Sequence, residues 1–315
     1  MLKEDSFKFD VITPIIMRGA EKQEEFRIPS IKGVMRFWFR TLMGCFIDDI
    51  KKLYEVESNI FGSTSEKSKI IIKINQFDKG SFVKMSYIDY RYFLFPFREN
   101  EHRVKWIKDG GNFSLRCSFK DIDPQIIEAT FKLISLFGGL GARTRRGFGS
   151  VCLSDFNIIN EDDFIKKFKS IIKFYKDYSN SKSINYSLRE YSSFVSGKIL
   201  FYKELKSDWS SILKNFERIY SDYRRHINIY DRYNFGLPIE SYKRKNDIFS
   251  KRRASPLFFK IIKLSKNGYL PVIFTLYSSK LLEGKDLNIN IIDEFLNNLN
   301  GNVSKYEFND ILREA

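Results

Sequence analysis

Residues 113–156 read FSLRCSFKDIDPQIIEATFKLISLFGGLGARTRRGFGSVCLSDF, and this stretch decides the fold. From 113 to 119 every second residue is apolar, which predicts a half-buried strand. Asp123-Pro124 then predicts the start of a helix that ends at Gly138-Gly139. A last strand is predicted at 149–156. The stretch is therefore one strand, one helix and one strand, with a glycine-rich segment before the last strand.

The residues before this stretch supply the other half of a split βαβ unit. Alternation at 7–11 predicts a strand, Ser30 is placed to cap a helix running to about Phe46, and residues 70–74 predict a buried strand. With an insertion at about 77–111, the order becomes β, α, β, insertion, β, α, β, which is typical of a ferredoxin-like domain. The insertion contains a strand candidate of its own at 90–97.

The second half predicts a degenerate copy of the same plan. A strand at 198–202 precedes a strongly amphipathic helix at 209–223, and Asn267-Gly268 suits the tight turn of a hairpin. The other predicted elements are a polar connector at 179–187, hairpin strands at 256–264 and 269–277, and a final helix at 291–299. No fourth strand is evident in the sequence. The predicted fold class is α+β with two tandem ferredoxin-like domains, 1–157 and 158–315, the second degenerate.

The chain is strongly basic. Its 315 residues include 54 Lys and Arg against 39 Asp and Glu, a net charge of +15, and the pI is near 9.5. This balance favours a polyanionic partner, with nucleic acid first, although a proteome rich in Lys, Ile, Asn and Phe would also produce it. We see no secretory signal and no apolar stretch of about 18 to 20 residues. We therefore expect a soluble, cytoplasmic protein with no membrane partner.

The sequence gives little evidence for a metal site or a cofactor site. Cys45, Cys117 and Cys152 lie far apart without a CxxC pair, so neither a disulfide framework nor a cysteine zinc site is predicted. His102 and His226 lack metal-binding spacing, which also leaves few candidates for a general base. We expect no metal site, no cofactor and no catalytic residue.

Three cations recur at every fourth position of the first predicted helix: Lys32, Arg36 and Arg40. Like charges at this spacing repel one another, and cations near a helix N-terminus oppose its dipole. A solvated face would more naturally mix charges, so the row predicts a phosphate track. The alternative is an ordinary exposed face next to acids from elsewhere. Trp38 lies in the apolar stripe of this helix, and we assign it to the core.

The glycine-rich loop, residues 138–149, places five glycines and three arginines in twelve residues without an acid. Glycines allow backbone N–H groups to approach an anion, and guanidinium groups can hold a phosphate through two hydrogen bonds. Phe148 could stack on a base. The loop lacks the ending of a P-loop and follows a helix, so nucleotide cofactor binding is not predicted. Its candidate RNA-binding residues are Gly141, Arg143, Arg145, Arg146, Gly147 and Phe148.

A third basic stretch covers residues 223–253. It carries nine Lys and Arg against three acids, with tyrosines and phenylalanines between them. This pattern suits a single strand of nucleic acid, although a long polar loop without a ligand explains it nearly as well. Arg252 and Arg253 are its candidate RNA-binding residues, because they lie just before Ser255-Pro256 and are therefore the members that we expect to be ordered.

These motifs together resemble the CRISPR-associated RAMP superfamily and, within it, the family of subunit one of the type III-B Cmr effector complex. The resemblance is carried by Thr13-Pro14, Gly19, PSIKGVMRFWFR at 29–40, IFGS at 60–63, the segment 138–150 and RRASPL at 252–257. It implies two RRM-related ferredoxin-like domains and attachment to an RNA-guided complex near the 3′ end of its guide. It also implies partners, namely guide RNA, single-stranded target RNA and the other Cmr subunits, with cleavage left to those subunits.

The leading hypothesis is a non-catalytic RNA-binding subunit in which the cationic row and the glycine-rich loop border one groove. One alternative is a RAMP endoribonuclease that processes guide RNA, using His226 with Tyr223 or Lys32 as acid and base. Another is an assembly cap whose basic surface meets acidic proteins without touching RNA. Whether guide, target or both are bound, which subunits are adjacent, and whether the isolated chain oligomerises stay open.

Overall fold

The computed structural model describes residues 3–85, 88–100, 104–181, 183–236, 253–266, 268–282, 285–299 and 301–315. The first half is built on a four-stranded antiparallel sheet. Its elements are β1 (Lys3–Val11), α1 (Ile28–Met43), α2 (Ile50–Phe61), β2 (Ile70–Phe77), β3 (Phe82–Lys84), β4 (Lys105–Ile107), β5 (Asn112–Phe119), α3 (Gln125–Phe137) and β6 (Val151–Leu153). The strand order β2-β5-β1-β6 is the ferredoxin-like order that the sequence predicts.

Helix α1 begins before Ser30, so the predicted cap is wrong. Arg27 occupies the N-cap position without a side-chain cap, and Pro29 lies in the first turn. Proline suits that position because its missing N–H group would have no partner within the helix.

The insertion belongs to the first half of the chain but packs against the second half. Strands β3 and β4 pair in it, but the strand predicted at 90–97 is wrong, because that segment forms turns of 3₁₀-helix at Ile88–Tyr90 and Phe95–Asn100. Tyr90, Phe93 and Leu94 are buried at helical spacing, whereas a half-buried strand would bury alternate residues. The hydroxyl of Tyr90 lies 2.8 Å from Ser210 Oγ in the second half.

The second half contains the same strand order. Its elements are α4 (Glu161–Ser179), β7 (Lys198–Tyr202), α5 (Trp209–His226), β8 (Leu257–Lys263), β9 (Tyr269–Thr275), β10 (Lys280–Leu282), β11 (Lys285–Asp286), α6 (Ile289–Asn297), β12 (Val303–Glu307) and α7 (Phe308–Arg313). The second sheet runs β12-β7-β9-β8. Strand β12 is the fourth strand that the sequence did not reveal, so the expectation of its absence is corrected. Its half-exposed edge position leaves no apolar run to recognise.

The two sheets stack with helices between them. One face of the second sheet joins the core that contains α1, α3, α4 and the inner residues Phe7 and Phe9 of the first sheet. The other face packs on α5, α6 and the insertion. Neighbouring residues Phe258 and Phe259 therefore lie in different cores. The sheet is covered on both faces, which explains why β8 and β9 are almost continuously apolar.

The outer face of the first sheet carries exposed Lys8 and Arg116, while Phe7 and Phe9 point inward. These phenylalanines do not form a stacking platform for RNA bases. The division of the chain at residue 157 remains our proposal, since α4 lies in the core that both halves share.

Candidate nucleic-acid interface

The cationic row of α1 lies against α2, where a buried carboxylate engages two of its three charges. Glu57 is 0% exposed, Arg36 Nε donates to its Oε1 at 2.6 Å, and Arg40 Nη1 lies 3.0 Å from its Oε2. Arg36 also donates to the Gly62 carbonyl at 2.9 Å. Arg36 and Arg40 are therefore not free cations, which corrects the prediction of an unpaired phosphate track.

The glycine-rich loop is held by the chain that follows β1. Thr13 Oγ1 donates to the Gly147 carbonyl at 2.7 Å and accepts from the Ser150 amide at 2.9 Å. The Ala142 amide donates to the Ile16 carbonyl at 2.7 Å. The Thr13-Pro14 motif thus holds the end of the loop through hydrogen bonds. The sequence alone did not indicate this role.

The loop glycines are required by packing within the chain. Gly141 has φ +86°, and a Cβ there would lie 2.3 Å from the Ile16 carbonyl oxygen. Gly147 has φ +83°, and its Cβ would lie 2.6 Å from Leu213 Cδ1. The amides of Ala142, Arg146, Gly147 and Gly149 all donate to carbonyls of the chain. The prediction that Gly141 and Gly147 open a backbone cradle for an anion is therefore corrected.

The loop docks on the edge of the second sheet. Residue 146 forms a parallel bridge with Phe259 on edge strand β8, and the Phe259 amide donates to the Arg145 carbonyl at 3.2 Å. Because side chains alternate along extended backbone, consecutive arginines point to opposite faces of this sheet. Arg145 lies over Phe258 on one face, and Arg146 lies near Phe259 on the other.

Arg146 and Phe148 are structural residues. Arg146 is 8% exposed and donates to Tyr220 Oη at 2.7 Å and to the Leu257 carbonyl at 3.3 Å. Phe148 is 0% exposed and packs edge-on against Tyr90. Neither side chain is placed for direct contact with RNA, which corrects both predictions.

Arg145 lies in a groove between α1, the loop and β8, which we name the Arg145 groove. Its guanidinium carbon is 5.5 Å from the Phe37 ring centre and 4.7 Å from that of Phe258. The groove encloses about 290 Å³ and is lined by Ser30, Gly33, Val34, Phe37, Trp38, Phe137, Gly138, Gly139, Thr144, Arg145 and Phe258. Burial lowers the pKa of Arg145 to about 10, and Arg146 and Arg253 act in the same direction. The group remains a cation at neutral pH.

The charge of Arg145 has no counter-ion in the described part of the chain. Its Nε is buried without a hydrogen-bond partner there, and none of the described carboxylates forms an ion pair with it. A Cβ added at Gly33, on the opposite wall, would meet nothing within 4 Å. The packing around Gly33 therefore gives no reason for a glycine in mid-helix, where it destabilises by about 1 kcal/mol.

Lys32 lies on another side of α1. On a helical wheel it is about 160° from Val34, which lines the groove. Burial lowers its pKa, and Arg36 adds to this effect. The cationic row and the loop thus do not converge on one strip as predicted; α1 contributes Gly33, Phe37 and Trp38 to the groove instead. Trp38 is 3% exposed, which confirms its assignment to the core.

Of the two candidate arginines in the C-terminal motif, Arg253 is among the described residues. Its guanidinium donates to the Ala254 carbonyl and to Ser278 Oγ, both at 3.3 Å, and burial lowers its pKa to about 10. It is close enough to Arg145 to lower the pKa of that group. Residues 237–252, which include Arg252 and much of the predicted basic stretch, lie outside the described residues.

A buried lysine ties the second sheet to the start of the loop. Lys260 is 2% exposed, and its Nζ donates to the Gly138 carbonyl at 2.6 Å, at the end of α3. A helix C-terminus favours a cation because its last carbonyls lack partners. Burial nevertheless lowers the pKa of Lys260 to about 7, and the neighbouring Cys152 only partly offsets this.

This burial predicts a pH-dependent stability. An unfolded lysine titrates near 10.5 and the folded Lys260 near 7, so between these values the unfolded chain binds more protons. The free energy of unfolding should therefore rise with pH across this window, relative to Lys260→Met. Urea unfolding of both proteins from pH 7 to pH 10 measures the difference. The exposed Lys263→Met is the control, and a difference that stays constant with pH would contradict the prediction.

Two absences among the described residues bear on other functions. No group of three or more His, Cys, Asp or Glu among them could hold a metal ion. Within the same part of the chain, no helix is both long and apolar enough to cross a membrane.

Comparison with known proteins identifies the family. Residues 8–152 match the family model of the RAMP superfamily. The chain is 30% identical over 296 residues to CRISPR system Cmr subunit Cmr1-1 of Pyrococcus furiosus, covering 85% of this chain and 86% of that protein. This chain belongs to the Cmr1 family of the RAMP superfamily. It is also 34% identical over 175 residues to subunit Cmr1-2 of the same organism, covering 47% of this chain and 94% of that protein.

Solved structures show the same fold. The crystal structure of apo Cmr1 from Pyrococcus furiosus aligns with a TM-score of 0.72 at 23% identity, covering 97% of this chain and 98% of that one. A chain of the type III-B Cmr-beta complex bound to cognate target RNA aligns with a TM-score of 0.60 at 14% identity, covering 99% of both. The fold of this Cmr1-family chain is thus two tandem ferredoxin-like domains, as predicted.

Sequence reasoning missed several groove residues. Phe37 and Phe258 flank the Arg145 guanidinium. Phe37 lies within the motif at 29–40 and Phe258 directly follows the motif at 252–257, but neither has an evident role in the sequence. Gly33 carried the clearest signal, because a glycine inside a helix requires an explanation. Glu57 carried none, since its partners lie on another helix.

Proposed function

We propose that this chain is an RNA-binding subunit of a type III-B Cmr complex, without nuclease activity of its own. It would hold guide RNA, target RNA or both near the guide 3′ end, next to other Cmr subunits. The relatives support the assembly, since they are named as Cmr subunits and one similar chain belongs to a complex bound to target RNA. The observation that carries RNA contact is Arg145, which lies between two phenylalanine rings and has no ion-pair partner among the described residues.

The chemistry of the Arg145 groove suits a ribose-phosphate strand. A guanidinium fixed between aromatic rings is pre-oriented to give two hydrogen bonds to a phosphate. Phe37 and Val34 are partly exposed and form an apolar wall on which a base can pack, and Gly33 adds no side chain that would block access to it. Contacts of this kind carry little sequence information, so base pairing elsewhere would provide the specificity.

The endoribonuclease alternative gains nothing from the geometry of its candidate residues. Tyr223 Oη donates to the Ile291 carbonyl at 3.1 Å, and His226 Nδ1 lies 2.7 Å from the Asp222 carbonyl at the end of α5. Lys32 is on α1, in the other half of the chain. Tyr223 and His226 are thus each engaged by a backbone carbonyl, and Lys32 lies on a different helix.

We expect Arg145→Gln to weaken binding of single-stranded RNA regardless of its sequence. Glutamine removes the charge while keeping a planar polar group between the rings. The slope of log affinity against log salt should fall by about 0.7, the value of one phosphate contact on a single strand. Fluorescence anisotropy of labelled oligouridine over a series of salt concentrations measures it. Arg218→Gln, on the exposed surface of α5, is the matched control, and equal slopes for both variants would remove Arg145 from the site.

A further inference from the structure

A second group of arginines lies on the far side of the second sheet from Arg145. Arg146 and Arg224 both lie over the ring of Tyr220, at 4.4 Å and 5.5 Å from its centre. Arg143 is close enough to both arginines, and to Tyr92 and Tyr220, to interact with them electrostatically. We name Arg143, Arg146, Arg224, Tyr92 and Tyr220 the Tyr220 cluster.

Among the described residues, no carboxylate forms an ion pair with the guanidinium groups of this cluster. Glu217 is the described carboxylate that acts on Arg143, and its Oε1 already accepts the amides of Tyr92 and Phe93. Asp222, on the same helix, pairs with Arg218 and Arg225. Glu217 is therefore engaged by backbone amides, and Asp222 by two other arginines. Unbalanced buried cations are costly, so the cluster is well prepared to bind an anion.

Arg143 itself is held in a strained position. Its φ is +65°, a left-handed conformation that costs a non-glycine residue about 1 kcal/mol or more. Its Nε is buried without a hydrogen-bond partner among the described residues. Burial lowers the pKa of Arg143 to about 9, and Arg146 adds to this. A glycine would relieve the strain, so stability alone does not explain an arginine here, and such strain is typical of functional sites.

We propose that the Tyr220 cluster binds a second phosphate of the RNA strand, separate from the one at Arg145. The inference rests on the proposed function and extends it across the edge of the second sheet. Residues 143, 145 and 146 belong to one loop along edge strand β8, so a strand of RNA that crosses this edge meets both sites. Arg146 is buried and supplies charge, whereas Arg143 and Arg224 are partly accessible and make the contact.

RNA fits this cluster better than an acidic protein segment does. Tyr92 is 36% exposed beside the guanidinium groups. A ring next to fixed cations can stack on a base while the cations hold the neighbouring phosphate. A carboxylate side chain would use the cations and leave the ring without a partner.

The test uses Arg143→Gly in the full-length protein, because φ +65° suits glycine and the fold should be retained. The probe is labelled single-stranded oligouridine titrated at several salt concentrations. We expect the salt slope to fall by about 0.7, and by about twice that in combination with Arg145→Gln. Arg225→Ala, an exposed arginine on the same helix as Arg224, is the control and should change the slope less. Urea unfolding verifies that each variant is folded.

The possible outcomes separate this inference from the proposed function. A lower slope for Arg145→Gln with an unchanged slope for Arg143→Gly overturns the second phosphate site alone. Unchanged slopes in both variants overturn both proposals. Loss of polyglutamate binding in Arg143→Gly with intact RNA binding would assign the cluster to an acidic protein segment and overturn the RNA assignment.

Discussion

Replacing Glu57 with alanine is expected to lower the free energy of unfolding by about 3 kcal/mol. Breaking a buried ion pair by removing one partner typically costs about 3 to 5 kcal/mol. The lower value applies because 28% of the Arg36 side chain and 45% of the Arg40 side chain are exposed to solvent, so water can partly replace the lost carboxylate. The loss includes the hydrogen bond from Arg36 Nε, and it removes the ion pairs that join α1 to Glu57 on α2.

Urea unfolding followed by circular dichroism measures this change. Glu55→Ala is the matched control, since Glu55 is an exposed glutamate on the same helix and should cost at most about 0.5 kcal/mol. Glu57→Gln preserves the volume and separates the loss of charge from the loss of packing. If Glu57→Ala cost no more than Glu55→Ala, the cationic row would not depend on this carboxylate.

The four-stranded sheet of the first domain and helices α1 and α3 could be predicted from local sequence patterns, whereas α2 was not predicted and the second domain was predicted only in part. The alternation at 113–119 corresponds to strand β5, whose apolar side chains are buried. The glycines at 138–139 mark the end of helix α3, as predicted. Strand β12 could not be predicted, because an edge strand with half-exposed residues has no apolar period. The segment at 90–97 has helical spacing, and its aromatic content led to the wrong assignment.

At the candidate site, sequence spacing identifies the charged residues but not the residues that they contact. Charge spacing on α1 identified a row of cations, but their partner Glu57 comes from α2 and cannot be found by spacing. The three arginines of the loop stand close together in the sequence, and their assignment as RNA-binding residues stays a prediction. Their division between two faces depends on docking along β8, which is a tertiary contact.

Phe137→Ala is expected to destabilise the whole chain by about 3 to 5 kcal/mol. Phe137 is 2% exposed, and its ring centre lies 4.7 Å from that of Phe168, 4.9 Å from that of Phe194 and 5.3 Å from that of Phe274. It therefore joins the last helix of the first domain to a face of the second sheet. Because the cavity opens in the core that both halves share, neither half should remain folded when the other unfolds.

Hydrogen exchange in increasing urea tests this cooperativity. Amides of β5 and β9 should lose protection together, and Phe137→Ala should shift both to lower urea by the same free energy. Phe95→Ala is the matched control, since Phe95 is 44% exposed and its truncation opens no cavity in the shared core. If β5 kept its protection while β9 lost it, the halves would be independent. The Arg145 groove, whose walls come from both, would then be formed only while the second half stays docked.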